Sequence, residues 1–188
     1  MMLSYREGQE RSAGEKILRL LREGRDVALC TDAGMPCVSD PGFRLVRDAV
    51  AEGIPVTVEP GPCAAVAALV LSGLPTSSWT FLGFLPRKPG PERRFFEAES
   101  ESVHTLIFYE SPFRIGKTLE AAAQVLGADR QAAVCLEITK KFERIERGTL
   151  DALAKKFLAS PPKGEIVVVV AGKQREKHSA DDGTDEPD

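Results

Sequence analysis

The sequence predicts an α/β protein of two domains, and three observations carry that prediction. Apolar, strand-like runs alternate with amphipathic segments along the 188 residues. The run at 167–170 is apolar at every position, as expected of a strand covered on both faces. A proline- and glycine-rich segment at 86–91 interrupts the alternation and is typical of a linker. We therefore predict domains at 1–85 and 86–172, followed by an acidic tail at 173–188 whose polar composition favours disorder.

In the first half, helices alternate with short strands. Ser12 and Glu15 have the spacing of a capping box, which predicts the start of the first helix. Asp40 followed by Pro41 predicts the start of the second, with the aspartate as its N-cap. Strands are predicted at 27–30 and 56–58, and a third helix of small residues at 63–71. This order indicates a parallel α/β layer.

The second half repeats the alternation less regularly. Strands are predicted at 80–84, 105–109, 132–138 and 165–170, and helices at 92–99, 113–126 and 150–158. The longest apolar run, 63–71, is far shorter than the roughly 20 residues that a membrane-spanning helix needs. With a polar N-terminal stretch that does not resemble a secretory signal, this favours a cytoplasmic protein that does not enter the membrane.

Composition excludes some classes of site. The four cysteines (Cys30, Cys37, Cys63 and Cys135) and the two histidines lack the close spacing of a zinc site, so we expect no metal and no disulfide. The net charge of −3 comes from the tail, which holds three basic and six acidic residues, and residues 1–172 are neutral. A neutral body permits nucleic-acid binding without indicating it.

Polar residues follow four predicted strands, at the end where open α/β sheets bind ligands. In the turn at 31–36, Asp32 could accept hydrogen bonds from a ribose or an amine. In the turn at 60–65, small residues at a helix start would let a ligand approach backbone N–H groups. The other two segments are 109–114 and 137–144. Taken singly, each also fits ordinary turn chemistry, helix capping or a solvated charged surface.

Six segments together resemble the ribosomal RNA small subunit methyltransferase I family, a branch of the tetrapyrrole methylase superfamily. They read DAGMPCVSDPGFRLV, PGPCAAVAALVLSGLP, FLGFLPRK, TLIFYESPFR, EITKKFE and KGEIVVVVAG, and extend from about Gly24 to Gly172. The resemblance implies a tetrapyrrole-methylase-like fold of two α/β domains, with a mostly parallel N-terminal sheet and a mixed C-terminal sheet. It also implies S-adenosylmethionine bound between the domains, a homodimer, and 2′-O-ribose methylation of a cytidine in small-subunit (16S) ribosomal RNA.

Matching motif by motif gives the candidate residues. The implied cofactor contacts are Asp32, Ala33, Gly34, Met35, Pro36, Gly61, Pro62, Cys63, Ala64, Tyr109, Gly164 and Glu165. A ribose hydroxyl is a weak acid, so a base or a cation near it would help methyl transfer. The candidates for this role, at predicted strand ends, are Glu110, Arg114, Glu137 and Lys140. Each of them could equally be a member of a structural ion pair. The candidate RNA contacts are Arg87, Lys88, Arg93, Arg94, Lys141 and Arg144.

One departure and two alternatives accompany the resemblance. The family opens with a strand and a proline- and glycine-containing loop that have no counterpart here, so we expect these 188 residues to bind S-adenosylmethionine weakly or not at all. A methyltransferase acting on a tetrapyrrole is one alternative, although YESPFR and EITKKFE resemble the RNA-modifying branch. The other is an inactive relative that serves as an RNA-binding or dimerisation module. The sequence leaves open whether the substrate is naked RNA or an assembled small subunit.

Overall fold

The computed structural model describes residues 1–174, so all but the first two residues of the acidic tail lie outside the described part. The chain divides into two compact units, Met1–Ala68 and the remainder from Leu69. The predicted linker at 86–91 lies inside the second unit. Helix α4 begins within that segment, at Pro89.

The first unit is built on two amphipathic helices, α1 (Glu10–Arg22) and α2 (Phe43–Ala51). They pack against each other through a small apolar cluster of Ile17, Leu18, Leu45 and Ala49. Arg22 on α1 donates two hydrogen bonds to the carboxylate of Glu52, at 2.7 and 2.6 Å. A third helix, α3 (Ala64–Ser72), starts in this unit and runs into the second.

The two strands predicted in the first unit are not formed among the described residues. Residues 27–30 and 56–58 have no strand partner, and the side chains of Val27, Val56 and Val58 are exposed. A strand is stabilised by the ladder to its neighbour and by burial of one face, and these segments have neither. The predicted mostly parallel N-terminal sheet is therefore absent from residues 1–68.

Two predicted helix starts are also shifted. Helix α2 begins at Phe43, because Asp40 does not cap it: its carboxylate accepts a hydrogen bond from the Thr31 hydroxyl at 2.7 Å. Helix α1 begins at Glu10, which places Ser12 inside the first turn, where its hydroxyl donates to the carbonyl of Gln9.

The second unit is a five-stranded mixed sheet with helices. Its strands are β1 (Trp79–Phe84), β2 (Thr105–Glu110), β3 (Gln131–Leu136), β4 (Arg144–Thr149) and β5 (Ile166–Val170), in the order β1-β2-β5-β3-β4. Its further helices are α4 (Pro89–Glu99), α5 (Ile115–Leu126) and α6 (Leu150–Ala159). Among the described strands, only β1 and β2 pair in parallel, and the other three pairings are antiparallel. The α/β class and the mixed C-terminal sheet are confirmed.

Strand β4 was not predicted, because its sequence, RIERGT, lacks an apolar run. It is an edge strand, and edge strands tolerate charged side chains that a central strand would exclude. The central strand β5 is fully buried along its length, as its continuous apolar sequence predicts.

One face of the sheet carries the main core against α4, α5 and α6. Phe108, Val134 and Val168 are fully buried there, together with Phe96 from α4 and Leu119 from α5. The other face is also buried, at Ile107, Ala133, Cys135 and Val169 among others. Arg147 on β4 donates to the carbonyls of Leu71 and Ser72, and so caps the C-terminal end of α3.

Candidate active site

The strand directions bring most of the predicted site residues of the second unit to one edge of the sheet. Since β2 and β3 are both antiparallel to β5, and β1 is parallel to β2, the strands β1, β2 and β3 all end at that edge. The register places Glu110, Ile166 and Leu136 side by side there, with Arg144 next to Leu136. We call this the strand-end edge.

At the strand-end edge β1, β2 and β3 end and β4 and β5 begin, and the predicted residues there are Arg87, Lys88, Tyr109, Glu110, Arg114, Glu137, Lys140, Lys141, Arg144, Gly164 and Glu165. Arg93 and Arg94 lie on α4 and are exposed, and Arg93 pairs with Glu97 at 2.9 Å.

Two of the four catalytic candidates belong to a buried polar group that we call the carboxylate cluster: Glu92, Glu110, Arg114 and Thr118. The Arg114 guanidinium lies 2.6 Å from Glu92 Oε1 and 3.5 Å from Glu110 Oε2. The Thr118 hydroxyl lies 2.7 Å from Glu110 Oε2 and 3.1 Å from Glu92 Oε1. Having a single hydrogen, this hydroxyl donates to one of the two carboxylates at a time.

These contacts favour a positioning role for Glu110 and Arg114. Glu110 is 5% exposed, and its second oxygen accepts the backbone N–H of Ser111 at 2.6 Å. Arg114 also donates to the carbonyl of Pro86 at 2.9 Å. The cluster thus ties strand β2, helices α4 and α5 and the loop before α4 into one rigid corner. Within residues 1–174, both charged groups are already occupied by protein partners.

Sequence reasoning missed Glu92 and Thr118. Both lie in predicted helices, at 92–99 and 113–126, and both are buried: Glu92 is 7% exposed and Thr118 is 1% exposed. One signal was available: Arg114 and Thr118 are four residues apart, a spacing that puts two side chains on one helical face.

The other two catalytic candidates, Glu137 and Lys140, organise a tight turn after β3. Glu137 adopts a left-handed backbone conformation (φ 47°), and its carboxylate accepts the N–H of Glu165 at 2.7 Å. Lys140 Nζ bridges Glu137 Oε1 (3.1 Å) and Glu165 Oε2 (3.0 Å). Gly164 is required here: at φ 93°, a Cβ on it would lie 2.3 Å from Glu137 Oε1.

The charges of this turn are fixed by its hydrogen bonds. The N–H of Glu165, and secondly Lys140, lower the pKa of Glu137 below its ordinary value. Glu165, and secondly Glu137, raise the pKa of Lys140. Glu137 is therefore an anion of reduced basicity at neutral pH, and Lys140 is a cation. This argues against Glu137 as a general base.

Tyr109 lies in an aromatic cluster with Phe81 and Phe84, at ring-centre distances of 5.0 and 5.3 Å. Residues three apart on a regular strand point to opposite faces, yet both phenylalanines contact the same ring. The reason is an irregularity in the β1–β2 register, where Gly83 has a φ of 63°. The half-buried ring of Tyr109 is thereby held in place at the strand-end edge.

The predicted cofactor turns of the first unit approach each other. A Cβ on Gly34 would lie 3.9 Å from the carbonyl oxygen of Pro62, and a Cβ on Gly61 would lie 3.6 Å from Met35 Sδ. The two turns are thus adjacent, as sequence reasoning required of a shared binding site. Of the other predicted cofactor contacts in these turns, Ala33 and Ala64 are exposed, and Pro36 and Cys63 are half-buried.

The surroundings of Asp32 show whether these turns suit S-adenosylmethionine. Its side chain is exposed, and it forms no hydrogen bond or ion pair within residues 1–174. A carboxylate without a protein partner, beside two glycine turns that leave the backbone accessible, suits a ligand carrying hydroxyl or ammonium groups. The residues present fit the group.

The described residues contain no helix that is both long and apolar enough to span a membrane. Nor do they contain a group of three or more metal-ligating side chains placed to hold an ion.

Comparison with known proteins identifies the family. The profile of the Tetrapyrrole (Corrin/Porphyrin) Methylases matches residues 3–154. The chain is 39% identical to ribosomal RNA small subunit methyltransferase I of Thermotoga maritima over 173 residues, which are 92% of this chain and 77% of that protein. The chain belongs to this methyltransferase family.

The chain matches only part of the length of relatives from two other bacteria. The protein of the same name from Mesorhizobium japonicum is 48% identical over 168 residues, and the one from Halalkalibacterium halodurans is 44% identical over 171. These matches cover 89% and 91% of the chain but only 57% and 59% of the relatives. The chain thus spans little more than half of their length.

Solved structures confirm the fold. The methyltransferase CobJ superposes with a TM-score of 0.66 at 18% identity, covering 90% of this chain and 78% of that one. Diphthine synthase superposes with a TM-score of 0.60 at 19% identity, covering 91% and 75%. Uroporphyrin-III C-methyltransferase from Thermus thermophilus, solved with S-adenosylhomocysteine, gives 0.56 at 18%, covering 88% and 74%. At these identities the likeness concerns the fold alone.

Proposed function

We propose that this family member takes part in S-adenosylmethionine-dependent 2′-O-methylation of a cytidine ribose in small-subunit (16S) ribosomal RNA. The observation that carries the proposal is the 39–48% identity, over most of the chain, to proteins named for methylation of that RNA. A ribosomal substrate agrees with the cytoplasmic location that the sequence predicts. The implied homodimer stays a prediction.

The proposed cofactor contacts in the first unit are the two adjacent turns, 32–36 and 61–64. Asp32 supplies a free carboxylate, while Gly34 and Gly61 keep side chains away from the backbone where the turns meet. Contacts from Tyr109, Gly164 and Glu165, which the resemblance implies, are proposed as well. When bound, the cofactor supplies a methyl group already activated on a sulfonium.

The chemistry left to this chain is chiefly positioning. Aligning a ribose oxygen with an activated methyl group contributes through orientation, which in well-oriented systems is worth ~7–11 kcal/mol. We propose that the carboxylate cluster fixes the loop after β2, and that the Glu137–Lys140–Glu165 turn fixes the loop after β3. Lys140, whose charge is already paired with Glu137 and Glu165, acts in the same way, by holding this loop in position.

RNA binding is proposed at the strand-end edge. Four of the predicted basic contacts there, Arg87, Lys88, Lys141 and Arg144, are exposed and form no ion pair within residues 1–174. Cations without acidic partners are available to neutralise phosphates, an interaction that weakens as salt concentration rises. Arg93 contributes less, since Glu97 already pairs with it.

The test is methyl transfer to unmodified small subunits with labelled cofactor, followed by mass spectrometry of the modified nucleotide. Because weak cofactor binding is expected, the cofactor concentration is raised well above that needed by the Thermotoga relative, which serves as the positive control. We expect label on the 2′-oxygen of one cytidine. The Asp32→Ala variant should lose incorporation, while an exposed acidic residue elsewhere, Glu120→Ala, should retain it.

Two outcomes would overturn the proposal. Label on a porphyrin precursor, with none on RNA, would assign the chain to small-molecule methylation. Absence of label on any substrate, while the relative labels its RNA, would leave a non-catalytic binding module. Titration of the chain with S-adenosylmethionine by calorimetry separates a loss of cofactor binding from a loss of the transfer step.

A further inference from the structure

Three phenylalanines are exposed at the strand-end edge. Phe84 ends β1 and is 66% exposed, Phe113 follows β2 and is 93% exposed, and Phe142 precedes β4 and is 72% exposed. The remaining phenylalanines of the second unit, Phe81, Phe95, Phe96, Phe108 and Phe157, are buried or half-buried. Scattered apolar residues on a surface need no explanation, but three rings of one type confined to one edge mark a binding surface.

Exposed basic residues lie close in sequence to two of these rings, Phe84 and Phe142. Arg87 and Lys88 follow Phe84, Lys141 precedes Phe142, and Arg144 follows it. Lys141 Nζ lies 5.6 Å from the centre of the Phe142 ring, within cation–π distance. The acidic groups of the edge are occupied: Glu137 and Glu165 bind Lys140, and Glu143 accepts the N–H of Thr139.

The backbone on both sides of Phe113 is fixed by hydrogen bonds of neighbouring residues. The Phe113 N–H donates to the Ser111 hydroxyl at 3.3 Å, and the adjacent Arg114 is anchored to Glu92 and to the carbonyl of Pro86. A ring whose backbone is fixed on both sides loses little conformational entropy when it packs against a ligand.

Exposed aromatic rings combined with unpaired cations match single-stranded nucleic acid, whose bases stack on rings and whose phosphates bind the cations. We propose that Phe113 and Phe142 stack on unpaired bases next to the target nucleotide. This inference rests on the proposed function, since it specifies the form of RNA that the same edge receives. The two rings emerge beside β2 and β4, which are three strand spacings apart, or about 14 Å at 4.8 Å each. Two different bases that are not adjacent in the strand would occupy them.

The test is binding of the whole chain to a fluorescein-labelled single-stranded RNA oligonucleotide, measured by anisotropy beside a duplex of the same sequence. The variants are Phe113→Ala and Phe142→Ala, with Phe113→Trp and Phe142→Trp as variants that keep a stacking surface. Trp79→Ala is the matched control: Trp79 is exposed too, but lies at the opposite end of β1.

We expect each alanine variant to bind the single strand about 10-fold more weakly, within the range of aromatic stacking on a base. The tryptophan variants should bind nearly as the unaltered protein does, and duplex binding should not change. Lys141→Gln should instead flatten the salt dependence. Unchanged single-strand affinity in both alanine variants would overturn the stacking proposal.

Two further outcomes are diagnostic. If the alanine variants leave RNA affinity intact but convert a dimer to a monomer in sedimentation, the rings form an interface between copies of the chain, and the proposal is wrong. If the unaltered chain binds single-stranded RNA through these rings but never transfers methyl groups to small subunits, the proposed function fails while the stacking surface stands. If methyl transfer to small subunits occurs and neither substitution affects it, the proposed function stands and the stacking proposal fails.

Discussion

Removal of the Arg114 guanidinium should destabilise the second unit strongly. The side chains of Glu92 and Glu110 are 9% and 3% exposed, and Arg114, itself 27% exposed, is the cation within 4 Å of both. Breaking a buried pair by deleting one partner costs about 3–5 kcal/mol, because a desolvated charge is left without compensation. Since part of Arg114 is in contact with solvent, we expect about 3 kcal/mol for Arg114→Met, which keeps the aliphatic stem. That corresponds to a fall in Tm of roughly 6–12 °C for a chain of this size.

Urea unfolding followed by tryptophan fluorescence measures this effect directly. The single tryptophan, Trp79, lies on β1 and reports on the second unit. In a double-mutant cycle, Glu92→Gln should cost far less in the Arg114→Met background than alone, because the charge it removes is no longer paired. A loss below about 1 kcal/mol for Arg114→Met, or additivity of the two substitutions within ~0.5 kcal/mol, would refute the account of the carboxylate cluster.

Three further predictions concern the turn after β3 and the end of α3. Gly164→Ala should lower the free energy of unfolding by more than Gly127→Ala. Both glycines have positive φ, but only at position 164 would the added Cβ collide with a side chain, that of Glu137. Equal losses of unfolding free energy in urea would contradict this. The lowered pKa of Glu137 stabilises the fold at pH values above about 4.5, the ordinary pKa of the group, and this stabilisation is lost as pH falls through the lower pKa of the folded state. Between pH 6 and 3 the unaltered chain should therefore lose more stability than Glu137→Gln. Parallel curves of unfolding free energy against pH for the two proteins would contradict this. Arg147→Lys should destabilise the chain by about 1 kcal/mol, because an ammonium cannot span two carbonyls as a guanidinium does; unfolding identical to that of the unaltered chain would show that the α3 cap contributes nothing.

The sheet of the second unit could be predicted where strands are apolar and buried. The run at 167–170 was identified from composition alone, because a central strand excludes polar side chains from both faces. The neighbours of this strand, β5, could not be predicted, because it lies between β2 and β3, which are far from it in sequence. Strand β4 escaped prediction because charged residues are tolerated at an edge.

In the first unit, the sequence pattern predicted two strands that do not form. Short apolar runs at 27–30 and 56–58 have strand propensity, but a strand also needs a pairing partner, and none exists among residues 1–68. Asp40 was expected to cap a helix, because sequence spacing does not reveal that Thr31 lies within hydrogen-bonding distance of it.

For the candidate site, the strand pattern placed the predicted residues near one edge of the sheet but did not reveal their hydrogen-bond partners. Glu110 and Glu137 were found by position, whereas the groups that donate to them, the Thr118 hydroxyl and the N–H of Glu165, lie 8 and 28 residues away in sequence. Whether a carboxylate is free to react depends on those partners, which only the folded chain reveals.

The place of β5 in the sheet has a consequence for how the chain acquires its structure. Among the described residues, the strand that comes last in sequence is the middle one of the sheet, so before residues 166–170 emerge the earlier strands can form only two separate ribbons, β1–β2 and β3–β4. Each ribbon would present an open apolar border to other chains. A frameshift or proteolytic cut upstream of Ile166 should therefore yield aggregated protein rather than a shortened but folded one.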